Sequence, residues 1–168
     1  MNLEPKSKNV RVLMVCMGNI CRSPTAEGVL RRALQRHAPY LNVEVDSAGT
    51  HGYHIGEPPD RRSIAHAQRR GIDLSGLRAR QLVAEDFQRF DWIVCMDAAN
   101  VRAAERLRPE ESSAQLVRLL DWSPDHVERD VPDPYYGGAE DFERVLDLVE
   151  RAVLGLIEEL RQPWRSPS

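Results

Sequence analysis

A cysteine and an arginine stand six positions apart, directly after an apolar stretch near the start of the chain. Cys16 follows the run 10–15, and Arg22 closes the segment CMGNICR. A tight loop that contains glycine can turn its backbone N–H groups toward an anion, while an arginine fork binds two of the anion's oxygens. A cysteine at the start of such a loop can attack the phosphorus. The segment therefore predicts a phosphate-binding loop with Cys16 as its nucleophile.

The spacing of Cys16 and Arg22 is by itself a weak signal, because arginine is abundant in this chain. The neighbouring residues strengthen it. The run before Cys16 is apolar at Val10, Val12, Leu13, Met14 and Val15, as in a strand that is buried on both faces. Ser23 places a hydroxyl at a helix start, Pro24 suits the first helical position, and apolar residues continue at helical spacing toward His37. Strand, loop and helix thus follow in the order that phosphate chemistry needs.

Strands and helices alternate along the rest of the chain. The pattern predicts strands at 41–45, 92–96 and 116–120, and helices at 61–70, 85–90, 98–107 and 141–160, with Asp60 capping the first of these helices. Residues 121–138, with three prolines and two glycines, predict a long functional loop. This alternation indicates a parallel sheet with helices on both faces, which binds ligands at the carboxyl ends of its strands, where Cys16 lies.

A carboxyl group in the long loop is the best candidate for the acid that a phosphate ester's leaving oxygen needs. Asp133 lies between two prolines, which stiffen the backbone around it. Tyr135 and Tyr136 follow and offer aromatic walls for a flat substrate ring. Asp130 is the competing acid, and a simple turn at Asp133 is the alternative without chemistry.

Composition bounds the remaining possibilities. The 168 residues make one domain, expected at 10–161, with an extended or disordered segment at 1–9 and a tail at 162–168. A net charge of −3 with mixed signs argues against nucleic acid, and the chain shows no apolar stretch long enough for membrane insertion. Three cysteines do not form a disulfide framework, and Cys95 is predicted to be buried in a strand. A reduced, cytoplasmic protein is expected.

Two groups of polar residues are predicted to have no role in chemistry. His51 and His54 lack a third ligand for a metal and are expected at a loop surface, with His54 bordering the cleft. The pair Arg61 and Arg62 is expected on a solvated helix face.

Five segments together resemble the low-molecular-weight protein tyrosine phosphatases. They occur in the family's order and near its spacing, over about residues 10–160. They are CMGNICRSP at 16–24, DSAGT at 46–50, ARQ at 79–81, CMD at 95–97 and DPYYG at 133–137. The resemblance implies a three-layer α/β fold, in which helices flank a four-stranded parallel sheet on both faces, and no metal or organic cofactor.

The resemblance also implies an activity, the hydrolysis of phosphotyrosine through a cysteinyl-phosphate. Cys16 would be the nucleophile and Arg22 the clamp on the phosphate. Asp133 would protonate the tyrosine leaving group and then activate the hydrolytic water. The implied partners are tyrosine-phosphorylated proteins, with inorganic phosphate as product and weak inhibitor, and the protein would act as a monomer.

Further positions take supporting roles by the same resemblance. Asn19 would hold the loop in a strained shape with the support of Ser47, Ser23 would hydrogen-bond the nucleophile's sulfur, and Asp97 would lie near the site. The implied phosphate- and substrate-binding residues are Met17, Gly18, Asn19, Ile20, Cys21, Ser23, Tyr53, Tyr135 and Tyr136. Many relatives carry a histidine at the position of Leu77, so part of the hydrogen bonding around the loop is expected to be missing or differently satisfied.

Three other functions fit parts of the pattern. An arsenate reductase would need two further cysteines downstream, and only Cys95 remains. Protein arginine phosphatases of this fold carry a small threonine where Ile20 stands, and Ile20 is expected to crowd a guanidinium. A non-catalytic phosphotyrosine-binding protein would not need Cys16, Arg22 and Asp133 together.

Cys21 has two interpretations, which the residues alone leave open. In the first interpretation, Cys21 packs beneath the loop. In the second, it traps an oxidised Cys16 as a disulfide before Cys16 is irreversibly oxidised. The family resemblance favours the redox role.

Overall fold

The computed structural model of the chain describes residues 9–125 and 127–162. Four strands alternate with helices in this part. In chain order the elements are β1 (Val10–Cys16), α1 (Arg22–His37), β2 (Val43–Gly49), α2 (Arg61–Arg69), α3 (Asp86–Arg89), β3 (Trp92–Cys95), α4 (Ala98–Leu107), β4 (Gln115–Arg118), a 3-10 helix (Leu119–Trp122) and α5 (Ala139–Leu160). Of the predicted terminal segments, Asn9 and Gln162 are described, and the others lie outside the described residues.

The strands form one parallel sheet in the order β2-β1-β3-β4. The central strand β1 sends alternate side chains to opposite faces. Val12 and Met14 join the core beneath α1 and α5, whereas Leu13 and Val15 pack on the side of α3 and α4. Helices therefore cover both faces, which confirms the predicted three-layer α/β fold. No helix of the described ranges is long and apolar enough to cross a membrane.

Most element boundaries differ from the predictions by one or two residues, and the largest differences are in β2 and β4. Strand β2 begins at Val43 and continues to Gly49, because its small, buried last residues belong to the ladder although they break the apolar alternation. Strand β4 ends at Arg118. The two leucines that follow begin the 3-10 helix and are fully buried. Apolar character reports burial, and it cannot by itself separate a strand from a buried turn.

Helix α1 begins one residue earlier than predicted, at Arg22. The Ser23 hydroxyl makes no capping hydrogen bond and instead faces the loop before the helix. The hydroxyl that the sequence places at the helix start is therefore available to the neighbouring loop.

Candidate active site

The loop between β1 and α1 is held in place by the end of β2. The N–H groups of Thr50 and His51 donate to the carbonyls of Cys16 and Met17 at 2.9 and 3.0 Å. Gly49 permits this close approach, since a Cβ at that position would lie 2.7 Å from the carbonyl oxygen of Met17. The predicted phosphate loop is thus supported on a rigid strand end.

Asn19 holds the loop in a strained shape. Its φ of +58° lies in the left-handed region, which non-glycine residues rarely adopt. The side chain compensates with three hydrogen bonds: its Nδ2 donates to the hydroxyls of Ser23 (2.8 Å) and Ser47 (3.0 Å), and its Oδ1 accepts the Arg80 N–H (3.0 Å). Both serines therefore lie where the resemblance implied.

Cys16 lies at the bottom of the loop, with its sulfur in contact with hydrogen-bonding groups. The Ser23 hydroxyl lies 3.0 Å from the sulfur, and the Asn19 N–H donates to it at 3.3 Å. Within the described parts of the chain, the N–H groups of Gly18, Ile20 and Cys21 have no hydrogen-bond acceptor. Such donors in a tight loop before a helix are suited to bind the oxygens of an anion.

Arg22 is buried beside the loop, and its guanidinium is fixed by partners from two other segments. Its Nη1 donates to Asp97 at 2.6 Å and to the carbonyl of Val131 at 3.0 Å. Burial alone would lower the pKa of Arg22, but the nearby sulfur of Cys16 and the carboxylates of Asp97 and Asp133 raise it. The group therefore carries a fixed positive charge. Asp97, whose partner the sequence did not identify, orients it and also caps α4.

Asp133 reaches the same site from the long loop. Its Oδ2 lies 4.0 Å from Nη2 of Arg22, its side chain is 39% exposed, and its Oδ1 accepts the Tyr135 N–H at 3.1 Å. Asp130, the competing acid, is occupied elsewhere, since its Oδ1 accepts hydrogen bonds from the Ala98 N–H and from Arg118.

A cleft of about 260 Å³ opens above Cys16. Its volume suits one ring with a phosphate better than a drug-sized ligand, for which about 300–1,000 Å³ is usual. The residues that line it are Cys16, Met17, Gly18, Ile20, Cys21, Arg22, Tyr53, His54, Asp133, Tyr135 and Tyr136. Asn19, Ser23, Ser47 and Asp97 lie behind this lining as its supports.

Glu27 belongs to the same network, although it is not among the residues that the sequence predicts for the site. The Ser47 hydroxyl donates to its Oε1 at 2.6 Å, and Arg31 lies 2.6 Å from its Oε2 as an ion pair without hydrogen-bond geometry. Burial raises the pKa of this carboxyl, which is 1% exposed. Its spacing of four residues from both Ser23 and Arg31 on one helix was the signal available in the sequence.

Leu77, where relatives often carry histidine, packs against the apolar core. The backbone N–H of Arg80 completes the hydrogen bonds of the Asn19 side chain. The Arg80 side chain is fixed in turn by Asp46 and by the fully buried Asp86. The side chain of Asn19 is thus fully hydrogen-bonded with an apolar residue at position 77.

The other two cysteines are buried and remain thiols at neutral pH. Cys21 is 5% exposed among Ile20, Ala79 and Phe142, and its pKa is raised to about 12, chiefly by burial and then by the charge of Asp60. Burial in β3 likewise raises the pKa of Cys95. The prediction that Cys95 is a core residue is confirmed.

His54 borders the cleft, as predicted, and its ring bonds to Glu57. Arg62 lies on an exposed helix face, as predicted, and its side chain is 43% exposed, but it also has specific partners. It forms an ion pair with Asp60 and donates hydrogen bonds to the carbonyls of Tyr135 and Gly137. No pattern in the sequence pointed to these contacts between distant segments.

Fold and site together define an α/β protein with a cysteine–arginine phosphate loop at the carboxyl end of its central strand. The family model described as low molecular weight phosphotyrosine protein phosphatase matches residues 11–165. The chain belongs to this family, which confirms the resemblance seen in the sequence.

Individual relatives are similar in sequence to this chain over most of their length. The low molecular weight protein-tyrosine-phosphatase of Streptomyces coelicolor is 45% identical over 155 residues, covering 90% of this chain and 94% of the relative. The human low molecular weight phosphotyrosine protein phosphatase is 41% identical over 148 residues, with coverages of 88% and 93%. The crystal structure of a protein tyrosine phosphatase from Entamoeba histolytica matches with a TM-score of 0.86 at 38% identity, covering 90% and 97%.

Proposed function

We propose that this protein is a protein tyrosine phosphatase that hydrolyses phosphotyrosine through a cysteinyl-phosphate on Cys16. The observation that carries the proposal is that Asp133 from the long loop meets Cys16 and Arg22 of the phosphate loop in one cleft. Membership of the family supports the same activity.

The first step transfers the phosphoryl group from tyrosine to the Cys16 sulfur. The loop N–H groups and the guanidinium of Arg22 bind the phosphate oxygens and stabilise the charge that develops on them. The Cys16 thiolate forms the S–P bond while the P–O bond to the ring breaks. Asp133, at the mouth of the cleft, gives its proton to the departing phenolic oxygen.

The second step releases phosphate and restores the enzyme. Asp133, now a carboxylate, takes a proton from a water molecule whose oxygen attacks the phosphorus. The S–P bond breaks and the electron pair returns to the Cys16 sulfur. The Ser23 hydroxyl, 3.0 Å away, stabilises the leaving thiolate by a hydrogen bond.

The cleft supports a preference for aromatic substrates. Tyr53 and Tyr135 flank its mouth, and the apolar Ile20 forms part of its wall. The phosphorus of phosphotyrosine lies one ring beyond the main chain and can reach a sulfur at the bottom, whereas phosphoserine is too short. Tyrosine-phosphorylated proteins are thus the proposed partners, and inorganic phosphate is the product and a weak inhibitor. The monomeric state and the cytoplasmic location stay predictions.

Two substitutions test the roles of Cys16 as the nucleophile and Asp133 as the acid. Cys16→Ser should abolish turnover of phosphotyrosine peptides while leaving phosphate binding measurable, since the loop and Arg22 remain. Asp133→Ala should lower the rate by about 10²- to 10⁴-fold, and less for p-nitrophenyl phosphate, whose leaving group hardly needs protonation. Asp130→Ala is the matched control. A large loss there and a small one for Asp133→Ala would contradict the assignment of the acid.

We further propose that oxidation controls the site through Cys21. Peroxide oxidises the Cys16 thiolate to a sulfenic acid, and the Cys21 sulfur then attacks it, forming the disulfide and releasing water. Both cysteines contribute to the lining of the cleft. Because the pKa of Cys21 is raised to about 12, the disulfide should form slowly at neutral pH.

Recovery after oxidation tests this role. Wild-type activity should return with thiol reductant after peroxide treatment, whereas Cys21→Ser should be inactivated largely irreversibly, with phosphate protecting both proteins. Cys95→Ser is the control and should behave like the wild type. Equal recovery of the wild type and Cys21→Ser would show that Cys21 does not protect the nucleophile.

A further inference from the structure

Asp133 is carried by a short segment, 132–137, that has few attachments to the rest of the molecule. Just before it, the Val131 N–H donates to the carbonyl of Met96, and Arg22 binds the Val131 carbonyl. Just after it, α5 begins at Ala139. Inside the segment the hydrogen bonds are local turns, from Tyr135 to Asp133 and from Gly137 to Pro134.

Arg62 supplies the hydrogen bonds that come from outside this segment, as far as the described residues show. Its Nη2 donates to the Tyr135 carbonyl at 2.9 Å and its Nη1 to the Gly137 carbonyl at 3.4 Å. The same guanidinium lies over the ring of Phe142 at 4.5 Å and near the ring of Tyr135 at 5.7 Å. One planar fork thus contacts both ends of the turn that follows the acid.

The other side of Arg62 is connected to the phosphate loop. Its Nε and Nη2 donate to the two carboxylate oxygens of Asp60 at 3.1 and 3.0 Å. The Asp60 N–H in turn donates at 2.8 Å to the carbonyl of Ile20, inside the loop that begins at Cys16. Asp60 and Arg62 therefore link the phosphate loop to the acid-bearing segment, in a short path through the start of α2.

We infer that Arg62 is a positioning residue for the acid: through Asp60 it holds the 132–137 segment at a fixed distance from the phosphate loop, so that Asp133 meets the leaving oxygen. This inference rests on the proposed function. Arg62 touches neither phosphate nor the reacting atoms, and a displacement of about 1 Å in a catalytic group costs up to about 10²-fold in rate.

The role predicts a loss that depends on the leaving group. Arg62→Ala should lower kcat/KM for phenyl phosphate by about 10- to 100-fold, because its phenolate must be protonated, and p-nitrophenyl phosphate should lose less than about threefold. The inhibition constant of inorganic phosphate should not change, since the loop and Arg22 are intact. Arg61→Ala is the matched control: Arg61 is exposed, has no hydrogen bond or ion pair within the described ranges, and should behave like the wild type.

A double-mutant cycle with Asp133→Ala separates positioning from general stabilisation. If Arg62 acts through the acid, Arg62→Ala should cost nothing further in the Asp133→Ala background. Equal losses on both substrates, a full loss in that background, or a parallel weakening of phosphate binding would each overturn the inference.

Two further comparisons make these outcomes interpretable. Arg62→Lys, which keeps one charge but not the planar fork, should fall between the wild type and Arg62→Ala on phenyl phosphate, and it decides the question by the same criteria should Arg62→Ala fail to fold. The wild type and Asp133→Ala test the proposed function itself, so that its failure is seen independently of any Arg62 variant.

Discussion

At the scale of single residues, the site depends on groups that are each held by more than one partner. Asn19 bonds to two hydroxyls and one backbone N–H, and Arg22 to one carboxylate and one carbonyl. The buried charge of Arg22 is stable because the negative groups around it outweigh the cost of burial. Such paired groups can keep fixed positions around a bound phosphate without reorganising during the reaction.

Ile20 is the residue for which the structure predicts a change of specificity. It is 9% exposed, packs beside Ala79 and Phe142, and forms part of the cleft wall. Ile20→Thr should therefore raise the ratio of kcat/KM for phosphoarginine over phosphotyrosine by about 10-fold or more, since one branch in a pocket wall is worth about 1–3 kcal/mol.

Parallel assays of both phospho-amino acids in peptides give this ratio. Ile20→Val, which keeps the wall apolar, is the control and should leave the ratio near that of the wild type. Comparable rates of the wild type on the two substrates would instead favour the arginine phosphatase.

At the scale of elements, α2 is capped by Asp60, and the charge of this carboxylate should affect the free energy of unfolding. Partial burial by itself would raise the pKa of Asp60, but hydrogen bonds from the side chain and backbone of Arg62 lower it overall. A carboxyl whose pKa is depressed in the folded state stabilises that state above its unfolded pKa. The stabilisation is lost as the pH falls through the folded value.

Asp60→Asn keeps a capping oxygen but loses the charge, so it should be less stable than the wild type by about 0.5–1 kcal/mol at pH 6, and the difference should shrink as the pH falls from about 4 through the lower folded pKa of Asp60. Urea unfolding at several pH values measures it. A difference that stays constant or grows toward low pH would contradict the assigned charge state.

Helix α1 makes an unusually close contact at Gly28. Alanine in a helix interior normally stabilises by about 1 kcal/mol relative to glycine. Here a Cβ would lie 2.9 Å from Ile72 and still closer to Leu74, which is fully buried and cannot move away.

Gly28→Ala should therefore destabilise the protein by about 1–2 kcal/mol, as overpacking does. A denaturant titration measures this change. The control is Gly76→Ala, where no atom lies within 4 Å of the new Cβ, and it should be neutral or slightly stabilising. A stabilised Gly28→Ala variant would show that α1 can shift away from this contact.

At the scale of the whole molecule, the site is a property of the folded chain. Its groups come from the loop after β1, the end of β2, the start of α4 and the segment before α5. A ligand that binds only this arrangement must stabilise the fold by linkage.

Inorganic phosphate at about 100 times its dissociation constant should add about 2.7 kcal/mol to the free energy of unfolding, which raises Tm by about 5–10 °C for a domain of this size. Sodium chloride of equal ionic strength and the Arg22→Lys variant are the controls, because phosphate also stabilises proteins without binding. The same rise in Arg22→Lys would show that phosphate acts outside the site.

The sequence by itself determined the features that depend on local order. The apolar run, the loop from Cys16 to Arg22 and the following helix are consecutive in the chain, so their types and spacing predict the strand, the phosphate loop and the side of the sheet on which it lies. Alternating elements likewise predicted the parallel three-layer fold. The flanking prolines made Asp133 a better candidate than Asp130, and the family resemblance gave Asp133, Asn19 and Ser47 their roles.

Only the tertiary structure decided which distant groups meet. The pairing of Arg22 with Asp97, the burial of Glu27 behind Ser47 and the contacts of Arg62 with the acid-bearing segment join residues from separate elements. Charged residues such as Arg62 have the same appearance in a sequence whether they face solvent or a partner. The packing of the helices on the sheet determines which group such a residue binds. It alone fixes the distances between segments that are far apart in the chain.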